Sequence, residues 1–119
     1  MIFTILKGRI RSVSHALRGV REMLLLGANA KLQLAAAAIV LIAGVLLRFS
    51  SSEWMAVSLC IGLVLSAEAM NTALEELADE VSEERRERIR RAKDMAAGAV
   101  LIASATALIV ATIIIGQRF

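Results

Sequence analysis

The chain has 119 residues, of which 58% are hydrophobic, an apolar share above the roughly 45–50% of ordinary soluble domains. This length fits one domain, and a single cysteine and a single histidine exclude an intramolecular disulfide and a metal site made of Cys and His ligands within one chain. The net charge of +3 arises from a basic N-terminal segment beside long apolar runs, which favours anionic lipid headgroups over nucleic acid, so we predict a small helical membrane protein.

The N-terminal segment, at about residues 2–25, has the pattern of an amphipathic helix. Its apolar residues recur at steps of three and four, while Lys7, Arg11 and Arg18 lie on the opposite side of the same helix. We therefore predict a helix that lies on the membrane surface with its apolar stripe in the lipid. The stripe consists of Ile2, Leu6, Ile10, Val13, Leu17, Val20 and Leu24.

Three apolar stretches follow, at about residues 28–48, 54–78 and 95–116, and each is a predicted transmembrane helix. The last has 22 residues without a charge, enough to cross ~30 Å of hydrocarbon at about 1.5 Å per residue. The second is interrupted between residues 54 and 74 only by Glu68. The sequence thus predicts a single all-α integral membrane domain with an N-terminal amphipathic surface helix and three transmembrane helices.

Two short connections join the predicted spans. Phe49–Glu53 is predicted as a tight turn, and the segment around Ser82–Arg91 is highly charged. Because basic residues are retained on the cytoplasmic side, we expect the N-terminus and the 82–93 loop to face the cytoplasm. Small residues recur every four positions in the last span, a spacing that lets helices pack closely, and we expect an oligomer. These residues are Ala99, Ala103, Ala107 and Ala111.

Four polar residues of the second span, Glu68, Asn71, Glu75 and Asp79, fall on one face of a helix. A carboxylate within the membrane costs on the order of 2.5–3.5 kcal/mol on insertion scales, so Glu68 indicates a function. Glu75 and Asp79 have the oxygen ligands that Mg²⁺ prefers, and Glu68 lies where a general base would meet a lipid hydroxyl. The alternative is a polar stripe that joins helices, or the solvated end of a long helix.

Arg91, Lys93 and Asp94 immediately precede the last span. The two cations are suited to neutralise nucleotide phosphates, although ordinary anchoring at the cytoplasmic interface also explains them. Neither a GxxxxGK[ST] loop nor a GxGxxG loop occurs in the sequence. Any ATP site must therefore be built by helices.

The motif ExxNxxxE at residues 68–75, followed by Asp79 and by AKD at residues 92–94, resembles the prokaryotic diacylglycerol kinase family, which includes the undecaprenol kinases. The resemblance extends from the segment beginning at Ala16 through the last span. Residues 60–68 and 98–104 are more similar to the undecaprenol kinase branch.

The resemblance implies a homotrimer in the bacterial cytoplasmic membrane, with active sites at subunit interfaces. Each site would transfer the γ-phosphoryl group of MgATP to a membrane lipid alcohol, either undecaprenol or diacylglycerol. By matching motif positions, the resemblance implies that Glu68 is the general base and that Glu75 is a ligand of Mg²⁺. The nucleotide-binding residues that it implies, together with the charges before the last span, are Asn71, Glu75, Asp79, Arg91, Lys93 and Asp94.

One position departs from the family pattern. Eight residues after Gly19 the family has a metal-binding glutamate, whereas this sequence has Gly27. The departure lowers the expected affinity for Mg²⁺. Two alternatives to an active lipid kinase therefore stay open: a catalytically impaired or non-catalytic relative, and a small proton-coupled transporter, which would require only Glu68.

Overall fold

The computed structural model describes residues 1–82, 84 and 86–119, and these residues form four helices. Helix α1 covers Ile2–Leu26 and α2 covers Ala30–Leu46, while α3 covers Ser51–Val81 and α4 covers Glu87–Arg118. The chain is all-helical, as the sequence predicts. The charged residues Glu83 and Arg85 of the predicted 82–93 loop lie outside the described residues.

Two of the helices, α3 and α4, are long and apolar enough to cross a membrane. Helix α2 has 17 residues, which corresponds to about 25 Å and falls short of a ~30 Å hydrocarbon layer. It counts as part of a third span only together with α1, from which it is bent by 103°. By length and composition, α3 and α4 are therefore candidates for two of the three predicted transmembrane helices, and α2 remains a predicted span.

The connection between α2 and α3 is shorter than the predicted turn at Phe49–Glu53, because α3 already begins at Ser51. The Ser50 Oγ accepts a hydrogen bond from the Glu53 N–H at 3.2 Å, and Glu53 Oε1 accepts one from the Ser50 N–H at 2.8 Å. This reciprocal capping box satisfies two backbone donors at the start of the helix. The signal S-x-x-E is present in the sequence at residues 50–53.

The charged connection is also shorter than predicted. Helix α3 continues through Val81, and α4 begins at Glu87, so the last part of the predicted segment Ser82–Arg91 is helical. Arg90 pairs with Glu87 at 2.5 Å and with Asp94 at 2.8 Å, one turn away in each direction. These pairs stabilise the first turns of α4, and an acidic residue in the first turn also interacts favourably with the helix dipole.

Helices α3 and α4 pack along each other as an antiparallel pair, with Val57 of α3 and Val100, Ala103 and Ile114 of α4 buried. Of the alanines spaced at four residues, Ala103 belongs to this buried face, whereas Ala99 is exposed. Only 22% and 17% of the most apolar stretches of α3 and α4 are buried within the chain. The remaining apolar surface needs lipid or further protein to cover it.

Candidate functional site

Glu68 is the most completely buried charged residue of the described chain, with 0% of its surface exposed. It lies in the middle of α3, where the turn between α1 and α2 covers it. Its Oε1 accepts a hydrogen bond from the backbone N–H of Asn29 at 3.2 Å, and its Oε2 accepts one from Gln33 Nε2 at 3.4 Å. A buried carboxylate needs such donors, and each oxygen keeps a further lone pair as an acceptor.

Gln33 is a site residue that the sequence prediction missed. It lies one turn into α2 and is half-buried, and its Oε1 has no hydrogen-bond partner among the described residues. A signal for it exists in the sequence, because Asn29 and Gln33 are polar residues four positions apart, on either side of Lys31, just before a long apolar stretch. That spacing places them near one face of a helix start.

Asn71 and Glu75 follow Glu68 along the same face of α3. Asn71 is buried and donates from Nδ2 to Glu75 Oε1 at 3.4 Å, while Glu75 is half-buried. Two buried oxygens beside them, Asn71 Oδ1 and Thr72 Oγ1, have no hydrogen-bond partner within the described part of the chain. Buried polar atoms of this kind are rare in folded proteins, and they are expected where a ligand, an ion or water completes the site.

Asp79 continues the polar face toward the aqueous end of α3 and is exposed. Its Oδ1 accepts a hydrogen bond from Lys93 Nζ at 2.7 Å, so the ion pair links α3 to α4 across the connection between them. The structure therefore brings two of the predicted nucleotide-binding residues together, although they are 14 positions apart in the sequence.

Arg91 and Asp94, which are also predicted nucleotide-binding residues, have their ionic partners within α4. Arg91 lies 3.4 Å from Glu87, and Asp94 accepts from Arg90 at 2.8 Å. The hydrogen bond from Arg90 lowers the pKa of Glu87 below its ordinary value, so Glu87 stays ionised. The result is a charged, exposed helix start beside the Asp79–Lys93 pair.

Gly27 ends α1 and begins the turn that contacts Glu68. Its backbone is extended, with φ −65° and ψ 130°, and its N–H donates to the Met23 carbonyl at 2.8 Å. A side chain at this position would point toward Thr72, whose Oγ1 would lie 3.0 Å from the Cβ. The position that departs from the family pattern thus lies next to Thr72 of α3, the residue that follows Asn71.

Glu75 and Asn71 carry oxygen atoms of the kind that Mg²⁺ prefers as ligands. Among the described residues there is no group of three or more His, Cys, Asp or Glu side chains that could hold a metal ion. Glu75 and the unpartnered Asn71 Oδ1 nevertheless place a carboxylate and an amide oxygen one helical turn apart. Mg²⁺ is usually bound through one or two carboxylates, with substrate phosphates and water as its other ligands.

Comparison with known proteins indicates the class of reaction. The sequence model of the family described as prokaryotic diacylglycerol kinase matches residues 14–115, from the middle of α1 nearly to the end of α4. The undecaprenol kinase of Bacillus subtilis (strain 168) is 38% identical over 104 residues, which cover 87% of this chain and 85% of that protein.

Proposed function

The chain belongs to the prokaryotic diacylglycerol kinase family, and from that membership we propose that it transfers the γ-phosphoryl group of MgATP to a membrane lipid alcohol. The family and the similar kinase indicate a lipid kinase of a bacterial membrane. The observation that carries the proposed mechanism is the fully buried Glu68, which lies two helical turns from Glu75 on the same face of α3.

Glu68 is the proposed general base. As the hydroxyl oxygen of the lipid attacks the γ-phosphorus, Glu68 accepts the hydroxyl proton, and the bond from the γ-phosphorus to the bridging oxygen breaks so that ADP leaves. The two hydrogen bonds from Asn29 and Gln33 hold the carboxylate in one orientation and leave acceptor positions for that proton.

Glu75 and Asn71 are the proposed holders of Mg²⁺, which neutralises charge on the transferred phosphoryl group when it is bound. Asp79, Arg91, Lys93 and Asp94 complete the proposed nucleotide site. Of these, Lys93 is best placed to meet a phosphate, because it lies near the start of α4, beside the C-terminal end of α3, and its present partner Asp79 is exposed.

We propose undecaprenol ahead of diacylglycerol as the acceptor. The similar protein from Bacillus subtilis is an undecaprenol kinase, and it matches over most of both chains. A long isoprenoid needs an extended apolar surface, which the exposed faces of α2 and α3 provide.

A homotrimer with active sites between subunits is the proposed assembly, with the N-terminus and the charged connection on the cytoplasmic side. The support is the large share of apolar surface on α3 and α4 that a single chain leaves exposed. The mass of the protein in detergent, measured by light scattering with the detergent contribution removed, tests the number of subunits.

The deciding experiment is transfer of labelled phosphate from MgATP to undecaprenol and to diacylglycerol in mixed micelles. We expect Glu68→Gln to lower the transfer rate by roughly 100- to 10,000-fold, since a general base contributes that much. Glu80→Gln is the matched control, because Glu80 is an exposed carboxylate on the same helix, and its rate should stay within about twofold of the parent.

The alternatives predict other results. No transfer to either lipid by the parent protein would favour a non-catalytic relative. Proton-driven uptake into vesicles that depends on Glu68, without any labelling of lipid, would favour a transporter. The polar face that continues from Glu68 to the Asp79–Lys93 pair supports the kinase, because a proton-coupled carrier needs only the buried carboxylate.

A further inference from the structure

Position 27, in the turn between α1 and α2, is crowded by the end of α1, by the start of α2 and by α3. A Cβ on Gly27 would lie 2.7 Å from the carbonyl oxygen of Met23 and 3.0 Å from both Thr72 Oγ1 and Ala30 Cβ. The Met23 carbonyl already accepts the N–H of Gly27 at 2.8 Å. Because that oxygen belongs to the backbone, the end of α1 would have to move to admit even one methyl group.

The same turn supplies a hydrogen bond to the proposed base. Only Ala28 separates Gly27 from Asn29, whose backbone N–H donates to Glu68 Oε1 at 3.2 Å. Ala30, the next residue, is 0% exposed and fixes the start of α2 against the rest of the chain. A displacement at Gly27 therefore passes to the Asn29 amide, since consecutive Cα atoms are a fixed distance of about 3.8 Å apart.

We propose that Gly27 is a positioning residue, whose missing side chain lets the turn place the Asn29 N–H on Glu68. The inference rests on the proposed function, in which Glu68 is the base. The glycine then has a role of its own and is not only a lost metal ligand, because the chain packs around it. A glutamate introduced at position 27 would meet the Met23 carbonyl before it reached any metal.

The two explanations of Gly27 predict opposite results. If the glycine is only a lost ligand, Gly27→Ala leaves the rate unchanged, and Gly27→Glu raises both activity and the affinity for Mg²⁺. If it positions the turn, both variants lower kcat, and Gly27→Ala does so without changing the Mg²⁺ concentration for half-maximal activity. We expect kcat of Gly27→Ala to fall roughly 10- to 100-fold, with KM for MgATP within about twofold, because small misplacements of a catalytic group cost rate.

Gly8→Ala is the matched control, since it makes the same substitution in α1 where, apart from the local helix backbone, no described atom lies within 4 Å of the added Cβ. Its kcat and KM should equal those of the parent. A second variant guards against misfolding of Gly27→Ala: an ester in place of the Asn29 amide, introduced with the α-hydroxy acid, removes the N–H and keeps every side chain. The ester variant should lower kcat by about as much as Gly27→Ala does and should also leave KM for MgATP unchanged.

Hydrogen exchange of the Asn29 amide, measured by NMR in micelles, tests the contact without activity. We expect exchange to be faster by about tenfold in Glu68→Ala and in Gly27→Ala, and unchanged in Gly8→Ala, as for the loss of one hydrogen bond to a carboxylate. Unchanged kcat in Gly27→Ala, higher activity in Gly27→Glu, or unchanged exchange in Gly27→Ala each overturns the proposal. If the parent transfers no phosphate, the proposed function fails, and the exchange rates still decide whether Gly27 sets the contact.

Discussion

The two ends of the α3–α4 pair differ in how many of their buried polar atoms have hydrogen-bond partners. At the end formed by the α2–α3 turn, Arg118 Nη1 donates to the Leu47 carbonyl at 2.6 Å, and Nη2 donates to the Arg48 carbonyl at 3.1 Å and to Glu53 Oε1 at 2.6 Å. The guanidinium also lies 5.2 Å from the centre of the Phe49 ring. We call these residues the Arg118 cluster.

In the other half of the pair, from Glu68 in the middle of α3 toward its C-terminal end, several oxygens of α3 and of the neighbouring α2 have no partner among the described residues. Asn71 Oδ1, Thr72 Oγ1 and Gln33 Oε1 are buried without a hydrogen bond in the described part of the chain. In the Arg118 cluster only one atom, Arg118 Nε, is in that state, and its guanidinium makes three other hydrogen bonds. An unsatisfied buried group costs about 1–3 kcal/mol, so the difference indicates a structural end and an end kept open for a ligand.

The largest effect is expected at the end with the unpartnered oxygens, where substitution of Glu75 tests whether this end serves catalysis. Glu75→Gln should lower phosphoryl transfer by at least roughly 100-fold, because the carboxylate that would hold Mg²⁺ becomes an amide with no charge. Its thermal stability in micelles should change little, since Glu75 is half-buried and Asn71 is its only hydrogen-bond partner among the described residues.

The exposed neighbour Glu76 provides the control, and Glu76→Gln should retain the parental rate and Mg²⁺ dependence. A Glu75→Gln protein that transfers phosphate at the parental rate would remove Glu75 from the site.

The second prediction tests whether the Arg118 cluster stabilises the fold. Arg118→Ala should destabilise the protein by about 2 kcal/mol, because it leaves Glu53 and two backbone carbonyls without their donor in a partly buried place. The midpoint of unfolding in detergent measures this loss, and Gln117→Ala, on the exposed adjacent residue, is the control. KM for MgATP should not change, since the Arg118 cluster lies at the far end of α4 from Lys93.

Equal stability of Arg118→Ala and Gln117→Ala would show that the cluster adds nothing to the fold. A change in KM for MgATP in a variant that is folded would contradict the separation of the two ends.

A smaller effect is expected from overpacking the same end. A Cβ at Gly44 would lie 2.6 Å from Trp54 Cη2 and 2.8 Å from Phe49 Cδ2, and these two rings pack edge to face with centres 5.4 Å apart. Gly44→Ala should therefore cost about 1–2 kcal/mol of stability. Gly62→Ala, where no described atom beyond the local helix backbone lies within 4 Å of the new Cβ, should be neutral or slightly stabilising in the same unfolding experiment. If the two variants have the same midpoint of unfolding, the packing of Phe49 and Trp54 against Gly44 is loose enough to admit a methyl group.

The apolar and polar periodicities of the sequence predicted the helices well, because each helix has one dominant pattern. The limits of the connections were predicted less well. The helix start at Ser51 depends on the capping box of Ser50 and Glu53, and the start of α4 at Glu87 depends on ion pairs among charged residues that resemble a loop in composition. Such local hydrogen bonds override a boundary drawn from hydropathy.

For the site, the polar face of α3 follows from spacing within one helix, whereas contacts between elements do not. Nothing in the spacing of Gln33 and Glu68 shows that a turn brings them to 3.4 Å. The crowding around Gly27 cannot be read from the sequence either, since a sequence shows which side chain is missing and not which atoms occupy its space. The roles of the site residues remain predictions that the experiments above test.

The smallest effect concerns the Asp79–Lys93 pair. Its two side chains are hydrogen-bonded to each other, as Arg118 and Glu53 are, but the pair is exposed and lies in the proposed nucleotide site. Lys93→Ala should change stability by less than about 1 kcal/mol, as for exposed ion pairs. It should raise KM for MgATP roughly fivefold, the equivalent of about 1 kcal/mol. Arg88→Ala removes an exposed cation from the same helix and should leave KM unchanged.

The exposure of this pair is the reason for that asymmetry. Lys93 can exchange Asp79 for a phosphate without leaving a buried charge unpaired, whereas Arg118 cannot leave Glu53 at the same cost. If Lys93→Ala destabilises the protein as much as Arg118→Ala and leaves KM unchanged, the pair is structural, and both ends of the α3–α4 pair serve the fold alone. If KM rises while stability holds, an ion pair between two helices is also a place that a nucleotide can occupy.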